Sequence, residues 1–174
     1  KEQMQIDEQL ATQYYRDQDY EKARDLYEQL FEKYGQNHHF QQYVECLLNL
    51  KDYDKAEKAL RAYAKKNPGY YKASVDLVYI YTLQDKADKA KKQFNEITKD
   101  LPDHAPTLRN LSYAFQSRGL NDMAMSVLEK GNTLLNGKET FYLDMAYISQ
   151  SSANYQEAFR YYFLELEAHP GQYN

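Results

Sequence analysis

Apolar side chains recur along this chain at i, i+3, i+4 and i+7, the spacing of one face of an α-helix. Four such stripes are Phe40, Tyr43, Val44 and Leu47; Ser74, Leu77, Val78 and Tyr81; Leu108, Leu111, Ser112 and Phe115; and Tyr142, Met145, Ala146 and Ser149. A second kind of block follows, marked by an alanine four residues before a large apolar residue: Ala23 and Tyr27, Ala56 and Leu60, Ala90 and Phe94, Ala124 and Leu128, Ala158 and Tyr162. The alanines lie 33, 34, 34 and 34 residues apart. Twelve residues after each stands a helix breaker or its substitute, Gly35, Pro68, Pro102, Asn136 or Pro170, which closes one unit and opens the next. Each unit therefore reads as helix, short polar turn, helix, with turns at 17–19, 50–52, 84–86, 118–120 and 151–154. The alanine is small for a reason: helices that cross at an axis distance of about 8 Å need a side chain without bulk at the crossing, and the large residue four positions on fills the adjoining groove.

The leucine, alanine, aromatic and proline columns of this 34-residue period resemble the tetratricopeptide repeat pattern. The units are about 4–36, 37–70, 71–104, 105–138 and 139–172. Departures stand in the tryptophan column, which holds Asp7, Phe40, Ser74, Leu108 and Tyr142, and in the turn glycine, which survives only as Gly119. The resemblance implies an all-α, right-handed superhelical solenoid of five helix-turn-helix repeats in one domain, with a concave groove and a role in holding protein or peptide partners.

One residue on from the core stripe, rotated by about 100°, a second stripe of each first helix is expected to line that groove. It holds Glu8, Thr12 and Tyr15; Gln41, Glu45 and Leu48; Val75, Tyr79 and Thr82; Arg109, Tyr113 and Gln116; Leu143, Tyr147 and Gln150. Tyr79, Tyr113 and Tyr147 form a column at spacings of 34. Tyrosine offers a rigid apolar face at low entropic cost, as binding surfaces need. The column suits an extended peptide, although rings packed edge to face would stiffen the wall instead. The carboxylate clamp known in the family is missing: only Lys72 matches in the first three units and only Asn110 in the last three. That leaves Arg109 as the groove cation expected to meet an acidic group on a ligand. The peptide-groove candidates are thus Tyr79, Tyr113, Tyr147, Arg109, Lys72, Asn110, Gln116 and Gln150. The last second helix, 155–168, is apolar on nearly every side, so Phe159, Tyr162, Phe163 and Leu166 are expected to be covered, by further repeats or by a second copy.

Composition narrows the chemistry. The 22 Lys+Arg against 26 Asp+Glu give a net charge of −4. Residues 51–100 carry +4, but interleaved carboxylates interrupt any basic stripe, so nucleic acid is an improbable partner. With 43% apolar residues and no long apolar run, no membrane span is expected. Gly137-Lys138-Glu139-Thr140 lacks the spacing of a phosphate loop. The single cysteine, Cys46, sits in an apolar run and reads as a small buried hydrophobe. His38, His39, His104 and His169 follow no zinc motif and read as surface residues. No catalytic residue, cofactor or metal is expected. The function read from these features is a non-catalytic interaction scaffold. The alternatives are the recognition region of a larger enzyme and, behind it, a nucleic-acid adaptor. The chain begins at Lys1 without an initiator Met and ends beyond a breaker, as a piece of a longer bacterial repeat protein would. Its tyrosine-, lysine- and glutamine-rich repeats resemble those of cell-envelope proteins, so that compartment is expected, with the cytoplasm as the alternative.

Overall fold

The computed structural model describes residues 2–171; Lys1, and Gln172 at the end of the fifth predicted unit, lie outside them. The described residues form ten helices and no strand: α1 (Glu2–Arg16), α2 (Tyr20–Tyr34), α3 (Asn37–Asn49), α4 (Tyr53–Lys66), α5 (Tyr71–Leu83), α6 (Ala87–Thr98), α7 (Ala105–Gln116), α8 (Asn121–Leu135), α9 (Tyr142–Ser151) and α10 (Tyr155–Ala168). They form five hairpins whose breaks fall within a residue or two of the predicted turns. The chain divides at Asn67–Pro68 into two compact units, α1–α4 and α5–α10.

Every alanine of the ladder is buried: Ala23, Ala56 and Ala124 are fully shielded, and Ala90 and Ala158 nearly so. The first helices carry a second buried column at the same period, Ala11, Val44, Val78, Ser112 and Ala146. In the fourth hairpin the two columns touch through a hydrogen bond, the Ser112 hydroxyl donating to the Ala124 carbonyl at 3.1 Å. In the second hairpin the start of α3 and the end of α4 are joined by rings, with Phe40 stacked on Tyr63 at 4.0 Å between centroids. Cys46 is fully buried, as its apolar run predicts, and burial pushes its thiol up to about 12, which leaves it unreactive.

The five turns share one backbone solution. Gln18, Lys51, Asp85, Gly119 and Ala153 all adopt left-handed φ values between 55° and 72°. In each, the left-handed residue's N–H bonds the carbonyl three back, and the next N–H bonds the carbonyl five back, as in Asp85 to Thr82 at 3.1 Å and Lys86 to Tyr81 at 2.8 Å. This double bond to the helix end satisfies the last carbonyls. The residue that completes it, Asp19, Asp52, Lys86, Leu120 or Asn154, is also the N-cap of the next helix, which is why a two-helix unit fits in 34 residues. Asp19, Asp52 and Asn154 accept a backbone N–H on their side chains; Lys86 and Leu120 do not.

Two of these positions are locally ill-suited, and correcting them should stabilise the chain. Ala153 holds a conformation that costs a residue with a Cβ about 1 kcal/mol, so Ala153→Gly is expected to raise the melting temperature. Lys86→Asn should add about 1 kcal/mol by supplying the missing cap, read as increased amide protection in the first turn of α6.

The connection from α8 to α9 departs from the others. Gly131 lies inside α8, and a Cβ there would come within 2.6 Å of the Phe141 ring and 3.2 Å of Leu108. The missing side chain lets Phe141 bury completely against α8. Asn132 fixes the approach by accepting the Phe141 N–H at 2.8 Å.

Candidate functional site

In the second unit, successive first helices α7 and α9 enclose a cleft of about 350 Å³. Of the predicted groove residues, Arg109, Asn110, Tyr113, Gln116 and Tyr147 line it, joined by Leu143 and Asp144. Tyr113 is 70% exposed and Tyr147 64%. Both stand one residue beyond a fully packed position, Ser112 and Ala146, so their helices are anchored on one side while the rings face the open side. Among the described residues, no ring pair joins any two of Tyr79, Tyr113 and Tyr147. A second cleft, of about 390 Å³, lies between the start of α5 and α7 and is lined by Lys72, Asn110 and Tyr113 among others. Asn110 and Tyr113 therefore stand on the wall between two recesses.

The rest of the predicted strip is used by the fold. Tyr79 is half-buried, with the Arg118 guanidinium 5.0 Å over its ring. Arg118 in turn donates from Nε to Asp76 Oδ1 at 2.7 Å, and Lys72 Nζ lies 3.4 Å from the same oxygen. Asp76 is 3% exposed, so this carboxylate is a buried junction between α5 and the end of α7. Val75, placed on the groove stripe by its spacing, is fully buried instead. The cause is that α5 packs on nearly all sides, with Ala73, Val75, Asp76, Leu77, Val78, Ile80 and Tyr81 all inside. Gln150 lies outside the first cleft and accepts the Tyr162 hydroxyl at 3.2 Å, tying α9 to α10.

Arg109, expected to meet an acidic ligand, already holds two acids of its own chain. Its Nη1 donates to Glu139 at 2.6 Å and its Nε to Asp144 at 3.1 Å; Nη2 reaches the Thr140 carbonyl at 3.4 Å. Its guanidinium also lies 5.0 Å over the buried Phe141 ring. The arginine is a latch from α7 to the head of α9, and with one cation against two carboxylates that end of the cleft is net negative. Neither partner was legible as such: Glu139 belongs to a turn-like stretch and Asp144 to a helix face whose neighbour only the packing reveals.

At the end of the second unit, Tyr155, Phe159, Tyr162, Phe163 and Leu166 form an exposed stripe on α10, Phe159 and Phe163 being 64% and 63% exposed. One and two repeats earlier, Phe159 corresponds to Met125 and Lys91, and Phe163 to Glu129 and Asn95. The apolar stripe is thus particular to α10. Among the described residues no helix is long and apolar enough to cross a membrane.

A family model described as tetratricopeptide repeat matches residues 14–69. No curated protein matches the chain in sequence. Among solved structures, MamA residues 41 to the end from Desulfovibrio magneticus RS-1 is 14% identical, with a TM-score of 0.50 over 100% of this chain and 99% of that one. A tetratricopeptide repeat protein from Parabacteroides merdae ATCC 43184 is 12% identical, with a TM-score of 0.50 over 99% of this chain and 69% of that one. At these identities the likeness is one of fold, an all-α helical repeat. The family model covers residues 14–69, under half of the chain, and the same alanine, turn and hairpin recur down to α10, so the chain is similar to the tetratricopeptide repeat family in its repeat and in its all-α fold.

Proposed function

We propose that this chain is a non-catalytic scaffold that holds an extended segment of a protein partner in the α7–α9 cleft, gripped by Tyr113 and Tyr147. The family supports a protein-binding role in general; the two open rings at one repeat position, beside a cleft of about 350 Å³, carry the finer reading. Exposed aromatic rings on rigid helices supply contact area at little ordering cost. Arg109 is neutralised internally and a carboxylate is left over, so the segment is neutral or basic with an apolar residue for the rings, in contrast to the acidic ligand anticipated from Arg109 alone.

A peptide library displayed against the chain tests this. Selected peptides should be enriched in apolar residues flanked by Lys or Arg, and Tyr113→Ala with Tyr147→Ala should weaken them at least tenfold, about 1.4 kcal/mol, with an unchanged melting temperature. Peptides that bind the double variant as well as the parent would overturn the proposal.

Self-association through α10 is the second part of the reading, supported by its exposed stripe. A self-complementary apolar face closes as a two-fold pair, with each copy covering the other. Sedimentation at high concentration should then give a dimer that Phe159→Glu with Phe163→Glu returns to monomer; a monomeric parent removes this part.

A further inference from the structure

The Arg109 latch has a counterpart in the first unit. Arg109 reaches residues 30 and 31 positions on, Glu139 and Thr140. Glu8 stands at the same repeat position on α1, and it too reaches residues 30 and 31 positions on, His38 and His39 at the head of α3. The chemistry is reversed. In the second unit a guanidinium supplies a permanent cation for two carboxylates. In the first, one carboxylate faces two imidazoles, whose unprotonated nitrogens can hold a cation together with it.

The geometry gathers three donor atoms. His38 Nε2 lies 3.0 Å and His39 Nε2 2.5 Å from the same Glu8 oxygen, and the three ligand atoms all lie within 4.8 Å of one another. Adjacent residues of a helix normally diverge by about 100°, yet these two rings stand 4.0 Å apart and aim at one point. His39, expected at the surface, is fully buried with its Nδ1 lacking a hydrogen-bond partner, so Nε2 is its working atom. His38 and Glu8 are 55% and 28% exposed, which leaves an approach from solvent and a fourth position open.

We propose that Glu8, His38 and His39 bind a divalent transition-metal ion of borderline softness, zinc being the best fit, through two imidazole nitrogens and one carboxylate oxygen. Such a donor set suits zinc and disfavours calcium and magnesium, which require more oxygens. Bonds of about 2.0–2.1 Å place tetrahedral ligand atoms about 3.3 Å apart. The His38 spacing nearly meets this. Glu8, partly exposed midway along α1, has to draw back from His39 by less than about 1 Å. The ion would tie α1 to α3, as Arg109 ties α7 to α9.

Titration of the full chain with Zn2+ by calorimetry near pH 7.5 is the test. One saturable site is expected, together with a rise in melting temperature that Mg2+ does not reproduce. Glu8→Gln and His38→Ala, both at accessible positions, should each weaken Zn2+ at least about 100-fold, since losing a direct ligand exceeds the 10–100-fold cost of losing an outer partner. His104→Ala and His169→Ala should leave it unchanged. Co2+ should give the intense visible bands of a tetrahedral site in the parent and not in Glu8→Gln. The proposal is overturned if the parent binds no Zn2+, or if Glu8→Gln and His38→Ala bind it as the parent does. None of these outcomes depends on the peptide cleft in the second unit.

Discussion

Asp76→Ala is expected to destabilise the second unit by about 3 kcal/mol, because removing one member of a buried ion pair strands charge in a poorly solvated site. Asp76 is 3% exposed and the Arg118 side chain 12%, and the Nε to Oδ1 bond is 2.7 Å. Arg118 also covers Tyr79, so the loss should loosen that ring's packing on α5. Asp76→Asn, which keeps an acceptor oxygen but not the charge, should cost less. Hydrogen exchange is the suitable readout, since helical repeats can open one unit at a time. Protection should fall first in α5 and α7, while α1–α3 keep theirs. Uniform protection in Asp76→Ala would show that the junction contributes little.

Ala124→Leu is expected to cost a similar amount by the opposite route, overpacking. The alanine is fully shielded, and its carbonyl is held by Ser112 at 3.1 Å, so α7 has no room to retreat without breaking that bond. Added methylenes in such a site force off-rotamer side chains or a backbone shift, at about 1–3 kcal/mol or more. Ala87→Leu, at the exposed start of α6, is the control and should change stability by less than about 0.5 kcal/mol. A chemical denaturation series across Ala56, Ala124 and Ala87 checks both statements. Equal effects at buried and exposed alanines would refute the claim that close approach fixes the period.

Much of the fold could be read in advance because it depends on local and periodic properties. The alanine ladder, the large residue four positions on and the breaker twelve on specify hairpins whatever their neighbours do. The shared turn was less visible. Only Gly119 announces a left-handed residue, whereas Gln18, Lys51, Asp85 and Ala153 adopt the same φ because the double hydrogen bond to the helix end outweighs the cost of a Cβ. The spacing of α5 places Val75 and Tyr79 on an open face, but packing on nearly all sides of that helix buries one and half-buries the other.

The candidate site divides in the same way. Tyr113 and Tyr147 follow from counting one residue past the core stripe, and they are open as that count predicts. Arg109 and His39 could not be placed by counting, since their environment is set by residues about thirty positions away.

By itself the sequence determined the helices, their pairing and the period, because these follow from small residues at crossings and breakers between units. Only the tertiary structure decided which charges remain for a partner. Whether a side chain meets water or another chemical group depends on what the neighbouring hairpin brings within about 3 Å of it, and that distance is not written in any one repeat.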